Sequence, residues 1–153
     1  MSFVVIGLGE LLWDVFPDGK QLGGAPINFA FIASQLGAEA YPVSCIGKDS
    51  QGMALRNALS DLYIDHSYIQ KDDQKPTGTV QIVLDQAGIP SYEIRNEVAW
   101  DAIRFTEELK QLAKRTSAVC FGSLTQRSDL SQKTIYDFLK NIPQLLLKNQ
   151  RFQ

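Results

Sequence analysis

A single histidine and two cysteines among 153 residues leave little from which to build a metal centre or a disulfide framework. Cys45 and Cys120 each lie in an apolar run without CxxC spacing, and both are read as buried free thiols. His66 stands alone, with no nucleophile elbow to mark a partner, so a Ser-His-Asp hydrolase finds no support. An excess of positive charge is also missing: 15 Lys and Arg against 17 Asp and Glu give a formal charge of −2, and the cations are scattered. Without a basic footprint, nucleic acid is not an expected partner. The opening residues, Met1 to Gly7, carry no charged segment, and only four apolar residues precede the glycine. Neither a signal peptide nor a membrane span is expected there, and the cytoplasm is the expected compartment. No GxxxxGK[ST] occurs, and Leu12 stands where a Gly7-Leu8-Gly9 dinucleotide fingerprint needs its third glycine. Internal repeats and low-complexity segments are absent as well.

What remains is an ordinary globular composition, 44% hydrophobic and 21% charged, sufficient for one domain with its own core. Residues 3–6 form a β-branched and aromatic run that fits a buried parallel strand. Glu10 to Phe16 reads as a second extended segment, closed by Pro17-Asp18-Gly19 as a turn. Leu22-Gly23-Gly24-Ala25-Pro26-Ile27-Asn28-Phe29-Ala30 then predicts a glycine loop feeding a helix that stops at Gly37. Its stripe Ala25, Phe29, Ile32 and Leu36, with apolar residues around it, predicts cover on most sides, leaving the Asn28 amide in need of a partner. A strand over 40–46 and a helix over 50–62, capped by Asp49 or Ser50, continue an α/β rhythm.

The middle of the chain departs from that rhythm. After a polar loop, Lys71 to Pro76, strands over 77–85 and 91–95 predict a hairpin whose Val80, Ile82 and Leu84 share an apolar face, a small sheet laid over something like a lid. A helix over 106–115, a buried strand over 118–121 ending in Gly122-Ser123, and a helix over 131–142 restore the α/β pattern, and the tail from Gln144 to Gln153 finds no clear partner. Glu10 and Asp14, four apart in an extended segment, would share a face and work as paired carboxylates, or else serve as solvated and ion-paired strand-end charges. The Gly23-Gly24 pair is equally a ligand cradle or a plain tight turn on residue type alone.

Taken together and in order, Gly9-Glu10-Leu11-Leu12-Trp13-Asp14, Gly23-Gly24-Ala25-Pro26-Ile27-Asn28-Phe29-Ala30, Leu36-Gly37 and Gly47-Lys48-Asp49-Ser50-Gln51-Gly52 resemble the first signature of the ribokinase-like (PfkB) carbohydrate kinases, above all their fructokinase branch. The resemblance implies a three-layer α/β/α fold, present here as its N-terminal half over residues 1–153, with a small β-sheet lid from strands near 9–16, 77–85 and 91–95. It also implies that Asp14, Gly23, Gly24 and Asn28 hold sugar hydroxyls, a role that suits an accepting carboxylate, a two-way amide and side-chain-free backbone. Gln81, Tyr92 and Arg95, with Thr79, are the polar lid candidates, and Arg95 falls where fructokinase-like sequences carry an arginine after the second lid strand. Ser123, with Gln126 just beyond it, lies at a strand end where open α/β sheets place ligands.

The family's second signature, a DTxGAGD segment with the catalytic aspartate and a phosphate-binding helix N-terminus, does not occur in these residues. The expectation is therefore an N-terminal half without a catalytic residue or a metal site of its own. It would be a truncated or frameshifted reading, a made fragment, or a stand-alone binding module. The complete protein is expected to phosphorylate a ketose with ATP and Mg2+. An unpaired sheet edge further suggests pairing into a homodimer through the lid or that edge.

Overall fold

The computed structural model describes residues 3–143, so the expectations for Met1, Ser2 and the tail from Gln144 onward lie outside the described residues. Eight strands and four helices follow in the order β1 Val4–Leu8, β2 Leu12–Phe16, β3 Gly19–Gly23, α1 Ala25–Gln35, β4 Glu39–Gly47, α2 Ser50–Asp61, β5 Ile69–Asp72, β6 Gly78–Leu84, β7 Pro90–Ile94, α3 Glu107–Lys114, β8 Ala118–Phe121 and α4 Asp129–Lys140. Short 3-10 turns at Ala99–Ala102 and Leu124–Arg127 complete the set.

The strands divide into two sheets. The main sheet is wholly parallel, ordered β5-β4-β1-β8, and the second is ordered β3-β2-β6-β7. Along β1 every residue is buried, and alternation sends Val4, Ile6 and Leu8 into a core with Leu109, Leu112, Ile135 and Phe138 of α3 and α4. Gly7 faces the other way, where any side chain would collide with the Pro26 carbonyl of α1. On that side Leu11, Trp13 and Ile27 pack with Ile46, Leu55 and Leu59, so α1 and α2 form the second outer layer. The result is the three-layer α/β/α arrangement predicted from sequence. Continuous apolar runs are what a parallel strand needs when helices cover both of its faces.

Several boundaries differ from expectation. The lid has four strands, because residues 19–23, read as turn and loop, pair antiparallel with β2 from Phe16↔Gly19 to Leu12↔Gly23. Backbone pairing there needs no apolar pattern, and Gly-Lys-Gln offers none. The first lid strand begins at Leu12 rather than near Gly9, since residues 9–11 make the crossing between sheets. Ile69–Asp72 is a fourth main-sheet strand where a polar loop was expected to begin at Lys71. Helix α1 buries Pro26, Ile27 and Ala30, whereas Phe29, Ile32 and Leu36 are exposed, against the expected cover. A helix apolar on all sides carries no periodic mark of which side meets the sheet. Asn28 shares the exposed side, so its side-chain amide lies where solvent can reach it and needs no partner within the fold. Leu84 is likewise exposed, and Cys120 is only half-buried, since β8 forms the sheet edge among the described residues.

Candidate functional site

From β1 the chain reaches β4 on one side, and β8 lies on the other, so the carboxyl ends of β1 and β8 bound a topological switch point. Open α/β sheets bind their ligands in the crevice that opens there. Gly9, at φ 153°, turns the chain out of β1, and a side chain on it would press on Pro26, on the Gly122 N–H and on the Thr125 hydroxyl. Glu10 follows, 6% exposed, with Thr125 Oγ1 donating to its Oε2 at 2.7 Å. Its carboxylate fills the space that a side chain at Gly122 would occupy. Glu10 therefore belongs to the crevice floor with Thr125 and Gly122, while Asp14 stands on lid strand β2; no cation pairs with Glu10 among the described residues.

Asp14 is half-buried, and partial burial raises its carboxyl pKa above the ordinary value. No donor among the described residues reaches that carboxylate. It fills the space above Gly23, where any side chain would collide with it, while a side chain at Gly24, φ 117°, would strike the Glu10 carbonyl. The two glycines thus let lid strand, crevice floor and helix α1 converge. Immediately beyond them α1 begins, with the Asn28 N–H donating to the Gly24 carbonyl at 3.0 Å. Asp14 thus stands against Gly23, and the start of α1, with Asn28 in its first turn and exposed, follows directly from the Gly-Gly pair.

The lid residues divide by register. Asp14 pairs with Val80, and Val80 with Ile94, so they share a face with Ile82 and its partner Tyr92. Gln81 pairs with Val15 and Glu93 on the opposite face, the one that carries Trp13 and Thr79. Tyr92 is therefore grouped with Asp14 and Gln81 is not. Arg95 comes directly after β7, its N–H donating to the Thr79 carbonyl at 3.3 Å, and it lines a shallow cleft with Lys75, Asn96 and Glu97. Ser123 is exposed at the start of the 3-10 turn that carries Thr125, next to the crevice, and Gln126 Nε2 donates back to the Gly122 carbonyl at 3.3 Å.

Polar ties join the lid to the main body at β2 and at the start of β6. Trp13 Nε1 donates to the Gln51 carbonyl at 3.1 Å, and Lys20 Nζ reaches Gln51 Oε1 at 2.6 Å while lying 4.4 Å from the Trp13 ring centre. Asp49 caps α2 through the Gly52 N–H at 2.7 Å and also takes the Thr77 N–H and hydroxyl, at 2.8 and 2.7 Å, where β6 begins. Burial alone would raise its carboxyl pKa, but these donors outweigh burial and hold it below the ordinary value. Asp72, at the end of β5, is lowered as well, by the N–H groups of Lys75 and Gln74 and by Arg104. Among the described residues no cluster of three or more metal-ligating side chains exists. Cys45 is inert by environment: burial, with the nearby Asp72 carboxylate, pushes its thiol up to about 12.

Sequence reading did not find Thr125 or the group of Trp100, Asp101 and Arg127 at the root of the lid. Twenty-six positions separate Arg127 from Asp101, to which it is hydrogen-bonded, and no local pattern links them.

Comparison with known proteins bears on the same region. The model of the pfkB family of carbohydrate kinases matches residues 9–135. A sugar kinase of Pyrococcus horikoshii, described as uncharacterized, is 30% identical over 150 residues, covering 91% of this chain and 48% of its own. Its crystal structure superposes with a TM-score of 0.82, over 92% of this chain and 49% of that one. A fructokinase of Salmonella typhimurium is 29% identical over 148 residues, 93% of this chain and 48% of that protein. A fructokinase of Xylella fastidiosa solved with bound ATP shares the fold at 18% identity, with a TM-score of 0.81 over 93% of this chain and 46% of that one. The chain thus spans about half the length of the relatives it matches.

Proposed function

Because the chain belongs to the pfkB family of carbohydrate kinases, we propose that it is the sugar-holding half of a fructokinase-like enzyme, one that transfers a phosphoryl group from ATP to a ketose hydroxyl. The observation that carries this reading is the Asp14 carboxylate, half-buried, without a donor among the described residues, and braced against Gly23 just before the start of α1. An unpaired acceptor of that kind suits the hydroxyl protons of a polyol, and desolvation strengthens each hydrogen bond it accepts. Asn28 would donate to and accept from a neighbouring hydroxyl, and Gly23 and Gly24 would bring backbone close to the ring. Tyr92, on the Asp14 face of the lid, would cover the sugar's carbon face and limit the access of water. Ser123, at the crevice rim, is a further hydroxyl contact in this reading, while Arg95 and Gln81 would act on the rim or outer surface of the lid.

ATP is the phosphoryl donor in this reading, and the Pyrococcus relative was solved in complex with it. The 153 residues contain no Gly-Ala-Gly-Asp segment, so no residue here is assigned to proton abstraction. Nor do the described side chains offer Mg2+ a ligand set. The chain alone is accordingly assigned sugar binding without turnover. Calorimetric titration with D-fructose tests this: saturable binding that Asp14→Asn weakens at least about tenfold supports it, the scale expected for a buried charged hydrogen bond. Absence of binding to fructose and to other ketoses overturns it. Pairing of two copies through the lid is the assembly we favour, supported by the exposed Val83, Leu84, Ile89 and Tyr92. A monomer by light scattering at all concentrations would dismiss it.

A further inference from the structure

We infer that Arg127 is the positioning residue of the lid, a clamp that sets the angle at which the second sheet, with Asp14 on its strand β2, stands over the crevice; the sugar part of this inference rests on the reading given above. The guanidinium makes four hydrogen bonds in three directions. Nε and Nη2 donate to Asp101 Oδ1 and Oδ2, both at 2.9 Å, Nη1 donates to Asn96 Oδ1 at 3.1 Å, and Nη2 donates to the Arg95 carbonyl at 2.7 Å. It also lies 4.0 Å from the ring centre of Trp100, which is fully buried. A bidentate carboxylate pair stacked on an aromatic ring is a geometry that arginine can supply and lysine cannot.

Each partner belongs to a different part of the molecule. Asp101 and Trp100 are fastened to the main body: Ser128 Oγ donates to the Asp101 carbonyl at 2.5 Å, Ser131 Oγ to the Trp100 carbonyl at 2.9 Å, and Asp101 Oδ2 accepts the Val98 N–H at 3.1 Å. Arg95 and Asn96 are the residues through which β7 leaves the lid. The Trp100 indole edge in turn presses on Gly78, where β6 enters the lid, closely enough that no side chain fits there. Both roots of the lid hairpin therefore rest on the Arg127–Trp100 stack. The 3-10 turn that ends in Arg127 also carries Thr125, which holds Glu10 on the crevice floor. One four-residue turn fixes the floor at one end and the lid roots at the other, so lid angle and crevice are set together.

Hydrogen exchange on the 153-residue chain tests the clamp. With Arg127→Met, amides of β6 and β7 should exchange at least about tenfold faster while β1 and β4 keep their rates, because a clamp acts on local opening. Affinity for fructose should fall by about tenfold, and Arg127→Lys, keeping the charge but not the fork, should recover little of either. Asn96→Ala removes only the lid-side arm and leaves the Asp101 pair in place; it should give a smaller shift of the same kind, and serves if Arg127→Met does not fold. Equal acceleration in both sheets would make Arg127 a general stabiliser and overturn the inference, as would unchanged lid exchange. If the lid loosens selectively but the unsubstituted chain binds no sugar, the clamp stands and the sugar reading falls.

Discussion

The two sheets of this molecule are built to opposite standards. In the main sheet β1 is buried along its whole length and six of the nine residues of β4 are buried, whereas all five residues of β7 in the lid are exposed. Two large clusters sandwich the main sheet, while the lid's own cluster consists of Leu12, Val80 and Ile82 with Phe16 beside it. A sheet with so small a cluster of its own owes its placement to where it meets the main body: Trp13, with Val15 and Leu22 beside it, packs against Ile46, Leu55 and Leu59 and donates to Gln51, Thr77 is held by Asp49, and the Arg127 clamp grips the lid root. Burial is thus divided unequally between the two sheets. The buried sheet holds Glu10 on the crevice floor, and the lightly packed one carries the half-buried Asp14.

The strongest test of that division is truncation of a core aromatic. Phe138→Ala, in the α4 layer, should cost about 3–5 kcal/mol of unfolding free energy, measured by denaturant melts; Ile82→Ala in the more lightly packed lid should cost less than about 2 kcal/mol. Comparable losses would erase the distinction between the sheets. Next in size are the glycines. Gly23→Ala forces the Asp14 carboxylate from its place, and should weaken fructose binding by about tenfold or more, with a much smaller shift in melting temperature.

Acid should separate the fastening carboxylates from the site carboxylate. Asp49 and Asp72 have folded pKa values below their ordinary ones, so the stability they contribute is fully present above the ordinary carboxylate range and is lost as pH falls through the lowered values. Asp49→Asn should flatten the acid limb of a stability-against-pH curve. Asp14 has the opposite sign: its folded pKa is raised, so its charge burdens the fold above that value and the burden lifts as pH falls toward the ordinary one. Asp14→Asn should therefore leave the chain slightly more stable at neutral pH while binding is lost. A melting temperature lowered by that substitution would assign Asp14 to the framework instead. The smallest expected effect is at Cys45, whose raised thiol pKa should leave it unreactive toward alkylating reagents at pH 8 until the chain unfolds.

Sequence pattern carried three of the four main-sheet strands through the apolar runs at residues 3–6, 40–46 and 118–121, although the last, expected to be buried, is a half-exposed edge strand among the described residues; β5, Ile-Gln-Lys-Asp, is short and polar and carries no such run. It carried the first lid hairpin less well: β3 is polar, and only backbone pairing with β2 makes it a strand. The Asp14, Gly23, Gly24 and Asn28 set was legible through its resemblance to a family motif. What the glycines make room for was not, since the Asp14 carboxylate and the Glu10 carbonyl, rather than open space, stand against them. Glu10 and Asp14 looked like one pair on one strand. The positive φ of Gly9 breaks the chain between sheets at that point and sends one to the floor and the other to the lid.

By itself, the sequence determined the α/β class, most strand and helix positions, a cap for α2 at Asp49 or Ser50, which the structure resolves to Asp49, and the family to which the chain belongs. Hydrophobic period, cap chemistry and motif order are properties of neighbours along the chain, and they can be read there. Only the tertiary structure decided which side of α1 meets the sheet, which lid residues share a face with Asp14, and that Arg127 grips Asp101, Asn96 and the Arg95 carbonyl. Those outcomes depend on strand register and on contacts between residues dozens of positions apart, whose free energy exists only once the layers have packed.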